Sequence, residues 1–276
     1  MPEAAAAASI EQALRGATDV LAEAGCDTPR LDAELLLAEA LGVPRERLVL
    51  DADRPLDPDT MVRLGRLVAR RADREPIAYI LGRKEFRHIT LAVDRRVLIP
   101  RPETELLVEF GTALDEGARV VDVGTGSGAV ALALKQERPD LEVWATELSA
   151  DALELARANA RALDLDVRFV EANLLAGVPG RIDAVLGNLP YVALGSVLAP
   201  EIARYEPAGA LFAGPDGLEV IRRLASQLRR VPLVALEVGF DQADAVAALL
   251  REAGLWSIEV LQDLAGHDRV VVGRRV

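Results

Sequence analysis

The sequence predicts an α/β chain, in which a small all-helical N-terminal region precedes a doubly wound, seven-stranded sheet whose last strand runs antiparallel. Two observations carry this. From Arg119 onward, short aliphatic runs alternate with segments of helical periodicity, the pattern of strands and crossover helices in a parallel sheet. Before residue 80 there are no such runs, only apolar stripes at helical spacing between cap and stop signals.

Residues 9–24 place Ile10, Ala13, Leu14, Ala17, Leu21 and Ala24 on one helical face, with Ser9 and Gln12 set as a capping box and Gly25 as the stop. The alanine-rich stretch 1–8 reads as the frayed start of this helix, and it lacks the basic segment of a secretory signal. Residues 31–41 form a second helix ending at Gly42. Asp57 and Pro58 open a third, running to Asp73, with Met61, Leu64, Leu67 and Val68 as its buried stripe. Arg63, Arg66, Arg70 and Arg74 share another face of it, which reads either as a solvated face or as a dock for an acidic partner patch. Residues 86–97 alternate and turn at Asp94-Arg95, which predicts a β-hairpin. Pro102 suits the first turn of a helix over 103–114. Strands follow at 119–124, 142–147, 167–172, 182–187, 231–238, 257–262 and 269–275, and helices at 127–137, 149–163, 216–229 and 241–253. Only Gly266-His267-Asp268 separates the last two strands, so they form a hairpin and the seventh strand is antiparallel. Residues 192–215 show little periodicity and read as a lid, with Tyr205 and Glu206 helping to hold it. The chain thus divides at 1–82, 83–100 and 101–276.

With 51% hydrophobic residues the chain can bury a substantial core. No apolar run is long enough to span a bilayer. The single cysteine, Cys26, excludes an internal disulfide, and two histidines, His88 and His267, argue against a zinc site. A net charge of −12 argues against broad electrostatic binding to nucleic acid.

The chemistry concentrates at strand ends. Gly124, Thr125, Gly126, Ser127 and Gly128 follow an apolar strand and open a helix, where glycine permits close backbone approach and free amides face a ligand. Asp122 sits within that strand end. Glu147 ends the next strand, where an acidic side chain takes ribose hydroxyls. The glycine spacing alone fits NAD and S-adenosylmethionine equally. A later buried strand ends in Asn188-Leu189-Pro190-Tyr191. An amide oxygen, a free carbonyl and an aromatic plate suit a planar NH2 group, with acceptors for its hydrogens and a surface for its π face.

Together these motifs resemble class I S-adenosylmethionine-dependent methyltransferases of the amino-group type. The segment Val97-Leu98-Ile99-Pro100-Arg101-Pro102-Glu103-Thr104-Glu105, the run Tyr205-Glu206-Pro207, Gly214-Pro215-Asp216-Gly217-Leu218 and the ending around Asp263-Leu264-Ala265-Gly266-His267 are similar to the HemK/PrmC family of protein-(glutamine-N5) methyltransferases. That resemblance implies a Rossmann-like methyltransferase domain at 101–276, a substrate-recognition domain at 1–82 and a hairpin linker at 83–100. It implies S-adenosylmethionine held by Gly124, Thr125, Gly126, Ser127, Gly128, Glu147, Asn173, Leu174, Asn188, Arg101, Pro102 and Thr104. It implies catalysis at Asn188, Leu189, Pro190 and Tyr191, with no metal. The implied partner is a peptide chain release factor methylated at its Gly-Gly-Gln glutamine, and the implied setting is a cytoplasmic monomer without direct nucleic-acid or membrane binding. Three positions depart from the family pattern: Leu189 stands where the family has proline, Glu147 where many relatives have aspartate, and Leu174 where an aromatic often sits.

Three other readings stay open on sequence. One is an amino-methyltransferase acting on a flipped base, which uses a similar polar-Pro-aromatic turn. Another is a nicotinamide-dependent oxidoreductase. The third is a relative with another protein substrate, or with weakened or no activity, because of Leu189.

Overall fold

A computed structural model of the chain describes residues 8–275, so the expected frayed helix start lies outside the described residues except for Ala8. In chain order the helices are α1 (Ile10–Glu23), α2 (Pro29–Leu41), α3 (Arg47–Leu50), α4 (Pro58–Ala72), α5 (Ile77–Leu81), α6 (Glu105–Thr112), α7 (Ala129–Glu137), α8 (Ala150–Leu163), α9 (Pro200–Tyr205), α10 (Glu219–Ala225) and α11 (Ala243–Glu252). The strands are β1 (Arg83–Phe86), β2 (Ile89–Ala92), β3 (Arg119–Val123), β4 (Glu142–Glu147), β5 (Arg168–Glu171), β6 (Ala184–Gly187), β7 (Leu233–Glu237), β8 (Ser257–Gln262) and β9 (Asp268–Arg274). The chain forms two compact units. One comprises the residues up to Gly82 together with Ala199–Tyr205, and the other comprises Arg83–Leu198 and Glu206–Val276. No helix among the described residues is long and apolar enough to cross a membrane.

In the helical unit, α1 begins on the expected capping box. Ser9 Oγ accepts from Gln12 N at 3.3 Å, and Gln12 Oε1 accepts from Ser9 N at 2.9 Å. Leu14, Leu21, Leu36, Leu37, Leu64 and Val68 meet in its core. The expected arginine face is largely spent inside the unit. Arg70 is bidentate on Glu75, Arg74 is bidentate on Glu201, and Arg63 donates to the Ala40 carbonyl, while Arg66 stays exposed. Their neighbour Arg71, passed over in the sequence, is buried between Asp32 at 2.7 Å and Glu201 at 2.9 Å. The short helix α9 lies inside the segment expected to be an irregular lid.

The second unit holds a seven-stranded sheet of order β5-β4-β3-β6-β7-β9-β8. β9 is antiparallel to both its neighbours because a short turn joins it to β8, while the remaining pairs are parallel. β3, apart from Arg119 and Asp122, and β6 are aliphatic, and both are almost wholly buried, as central strands covered on both faces must be. The chain order reverses at β3, and in open α/β sheets ligands bind outside the carboxyl ends of strands at such a point.

The expected hairpin exists, but its turn is Arg87-His88 and not Asp94-Arg95. Phe86 pairs with Ile89, and Arg87 adopts φ 47°. Arg87 is anchored there by its own contacts, its backbone amide on Glu105 and its guanidinium on Glu137. Asp94 does make a turn, with Val97 N donating to its carbonyl at 3.1 Å, but this lies beyond the second strand. Two helices are also shorter than expected. The 103–114 helix starts as a 3-10 turn over Pro102–Thr104, and α10 spans only Glu219–Ala225. Gly217 takes φ 74°, outside the right-handed helical region, so α10 starts after it, and a Cβ there would lie 2.1 Å from the Tyr191 carbonyl oxygen.

Candidate active site

The carboxyl ends of β3, β4 and β6 open on a cavity of about 410 Å³. Its floor is the glycine loop. Gly124, Gly126 and Gly128 all take positive φ, which only glycine adopts without strain. The amides of Gly124 and Thr125 both donate to the Thr146 carbonyl, at 2.9 and 3.0 Å, and so pin the loop to the end of β4. Nothing lies within 4 Å of where a Gly126 side chain would begin, so a ligand can approach the backbone there. Asn159, buried on α8, steadies the loop from outside by donating to the Ser127 carbonyl and bonding both backbone groups of Ala92.

Two carboxylates line the cavity. Glu147 Oε1 accepts from the amides of Leu148 and Ser149, and Oε2 accepts from Gly126 N at 3.0 Å. Each carboxylate oxygen has two lone-pair directions, so Oε2 retains capacity for a ligand hydroxyl. Asp122 is buried, and burial pushes its carboxyl up to about 6 against hydrogen bonds from Thr125 Oγ1 at 2.6 Å and Ala131 N at 3.2 Å. At neutral pH the pair gives the cavity negative character. Opposite them Leu174 forms an apolar wall. It is buried at φ 58°, a left-handed conformation that costs a side-chain-bearing residue roughly 1–2 kcal/mol. Asn173 beside it accepts a hydrogen bond from Arg223.

The far side is the turn after β6. Asn188 Nδ2 donates to Thr104 Oγ1 at 3.0 Å, and Thr104 Oγ1 donates to Glu237 Oε2 at 2.6 Å. Tyr191 reaches the other Glu237 oxygen at 3.4 Å. Among the described residues, no group donates to Asn188 Oδ1 or to the Leu189 carbonyl. The Tyr191 carbonyl, by contrast, is held by Gln242 Nε2 at 2.9 Å. Leu189 itself is buried in the cluster that includes Val123, Val185 and Leu236, so side-chain packing fixes a turn that proline would otherwise fix through its ring. The site as built suits a ligand with hydroxyls at Glu147, a flat apolar part at Leu174 and a cationic centre, beside a second group that donates two hydrogens.

The PrmC N-terminal domain family matches residues 12–82, and the methyltransferase small domain family matches residues 102–204. The release factor glutamine methyltransferase of Deinococcus radiodurans is 42% identical over 277 residues, covering 96% of this chain and 98% of that one. That of Burkholderia pseudomallei is 45% identical over 263 residues, covering 88% and 91%. The chain belongs to the release factor glutamine methyltransferase family. A methyltransferase from Pyrococcus furiosus matches the fold, with TM-score 0.52 at 19% identity over 67% of this chain and 88% of that one.

In this member of the release factor glutamine methyltransferase family, the cavity lining brings together Gly124, Thr125, Gly126, Ser127, Glu147, Asn173, Leu174, Asn188, Leu189, Pro190 and Thr104. Gly128 lies one step behind as the cap of α7. Pro100 and Leu98 line the cavity where the sequence pointed to Arg101 and Pro102. Arg101 instead pairs with the buried Glu206, which also accepts from Ile99 N at 3.1 Å, so this pair holds the segment in place. Tyr191 stands outside the lining, with burial pushing its hydroxyl up to about 12. Sequence reasoning missed Glu237, Asn159 and Gln242. Glu237 carried one legible signal, an acidic residue inside an otherwise aliphatic strand run.

Proposed function

We propose that this chain transfers the methyl group of S-adenosylmethionine to the side-chain amide nitrogen of a glutamine in a peptide chain release factor, as the names of its relatives suggest. The observation that carries this is the pair of acceptors without internal partners, Asn188 Oδ1 and the Leu189 carbonyl, at the rim of the glycine-loop cavity. Two acceptors side by side match the two hydrogens of a carboxamide. When bound, S-adenosylmethionine supplies an electrophilic methyl on a sulfonium.

The chain's own residues do the rest by positioning. Glu147 takes the ribose hydroxyls, the glycine loop admits the ligand backbone-close, and Leu174 walls the base. Asp122 and Glu147 favour the cationic donor over its neutral product. An amide nitrogen is a poor nucleophile because its lone pair is delocalised. Acceptors on both N–H bonds orient it and favour charge growing on nitrogen as the nitrogen–carbon bond forms and the methyl's bond to sulfur breaks with its electron pair left on sulfur, after which the nitrogen sheds one proton to solvent. Orientation of this kind supplies up to about 7–11 kcal/mol. We assign 101–276 to catalysis, 83–100 to a linker and 1–82 to recognition of the protein substrate.

The direct test is incubation with S-adenosylmethionine and a purified release factor, followed by mass mapping. A single methyl on the Gly-Gly-Gln glutamine is expected. Methyl transferred to RNA or DNA instead would select the nucleic-acid reading.

A further inference from the structure

We infer that Glu237 is a positioning residue that sets, through Thr104, which end of the Asn188 amide is offered to the methyl acceptor. The inference rests on the proposed reaction and deepens it. A hydroxyl has one proton to give. Thr104 gives its proton to Glu237 at 2.6 Å, and an ionised carboxylate can only accept. Thr104 Oγ1 must therefore accept from Asn188, so the atom 3.0 Å away is the NH2 and the carbonyl end is left for a ligand. A neutral Glu237 removes this constraint. A carboxylic acid can donate to Thr104, whose own proton is then free to hold Asn188 Oδ1, turning the NH2 toward the cavity. In that orientation the turn presents a donor to a group that itself only donates.

The surroundings of Glu237 make its charge conditional. It is almost fully buried at the end of β7, and burial pushes its carboxyl up to about 7. Arg269 on β9 and the hydrogen bonds from Thr104 and Tyr191 favour the ion, while Glu103, on the 3-10 turn before α6, opposes it. Arg101 and Arg269 both act on Tyr191, which is itself next to Glu237. The orientation of Asn188 is thus tied to pH near neutrality.

Two readouts test this. In the unliganded protein, the Asn188 side-chain amide signal, assigned by its loss in Asn188→Asp, is followed by NMR from about pH 8 to about pH 6. It should shift through the Glu237 titration in the native chain and stay fixed in Glu237→Gln. In Thr104→Val it should lose its native position at every pH, and Thr104→Ser should restore it. In methyl transfer at about pH 8, Thr104→Val should lower kcat at least tenfold, a larger effect than its weakening of cofactor binding measured by calorimetry. Thr104→Ser should recover most of that loss. Glu237→Gln should remove the change of kcat with pH over this range, because an amide at this position does not titrate. An Asn188 signal indifferent to pH and to Thr104→Val, or an undiminished kcat in Thr104→Val, overturns the inference. If the signals behave as expected but no glutamine is methylated, the relay stands and the proposed reaction is what fails.

Discussion

A Cβ on Gly124 would lie 3.0 Å from Cδ2 of Leu189, so the glycine loop packs directly against the acceptor turn at this position. Gly124 also sits at φ 72°. Gly124→Ala therefore carries backbone strain of roughly 1–2 kcal/mol and pushes on Leu189 at once. The expected outcome, read by calorimetry, is cofactor affinity reduced about tenfold or more, together with a lower kcat.

Leu189 replaces a ring constraint by burial. It is 3% exposed and packs among Val123, Val185 and Leu236. Leu189→Ala should destabilise the protein by about 2–4 kcal/mol in urea unfolding and slow methyl transfer as the turn loosens. Leu189→Pro is a different case. Among the described residues the Leu189 amide donates no hydrogen bond, so proline removes no backbone bond there and supplies a fixed φ. It should keep or raise methyl transfer, and complete loss would show that the turn follows another geometry.

Glu237 gives a stability that depends on pH. Its folded pKa of about 7 lies above the ordinary 4.5. A raised carboxyl favours folding while protonated, so its contribution is full below the ordinary value and is lost as pH rises through about 7. Glu237→Gln, neutral throughout, should not suffer that loss. Relative to the native chain it should gain stability by on the order of 2–3 kcal/mol between about pH 5 and pH 8, measured by urea unfolding at both. A constant difference between the two proteins would contradict the ionisation of Glu237 in this range.

Asn188→Ala removes one of the two acceptors and leaves the glycine loop and Glu147 in place. Methyl transfer should fall by about 10²–10³, the cost of removing one preorganised polar contact from a reacting group. Cofactor binding should weaken only in part, as checked by calorimetry on the same preparation. Equal loss of both would move Asn188 from the reaction to the ligand pocket.

Most of the sheet was legible because aliphatic runs and cap residues report local preferences directly. β4 and α8 follow their expected bounds closely, and Ser149 caps α8 through Ala152 N as its position suggests. The glycine loop and the Asn188 turn were legible for the same reason, since each is one contiguous string with a steric requirement. What stayed hidden was tertiary. The hairpin turn was misplaced because Arg87 is held at positive φ by Glu105 and Glu137, partners distant in sequence. The arginine face of α4 looked solvated or partner-facing because Glu201, its main anion, lies on a helix far along the chain. Glu237 stood out only as an acid inside an aliphatic run, and its role becomes visible once Thr104 and Asn188 are seen beside it.

The most direct measurement is a crystal structure of the protein with S-adenosylhomocysteine and a peptide containing Gly-Gly-Gln. The glutamine nitrogen should sit about 2.9 Å from both Asn188 Oδ1 and the Leu189 carbonyl, on the side of the sulfur. A glutamine bound elsewhere, or one facing the Asn188 nitrogen, would contradict the assignment.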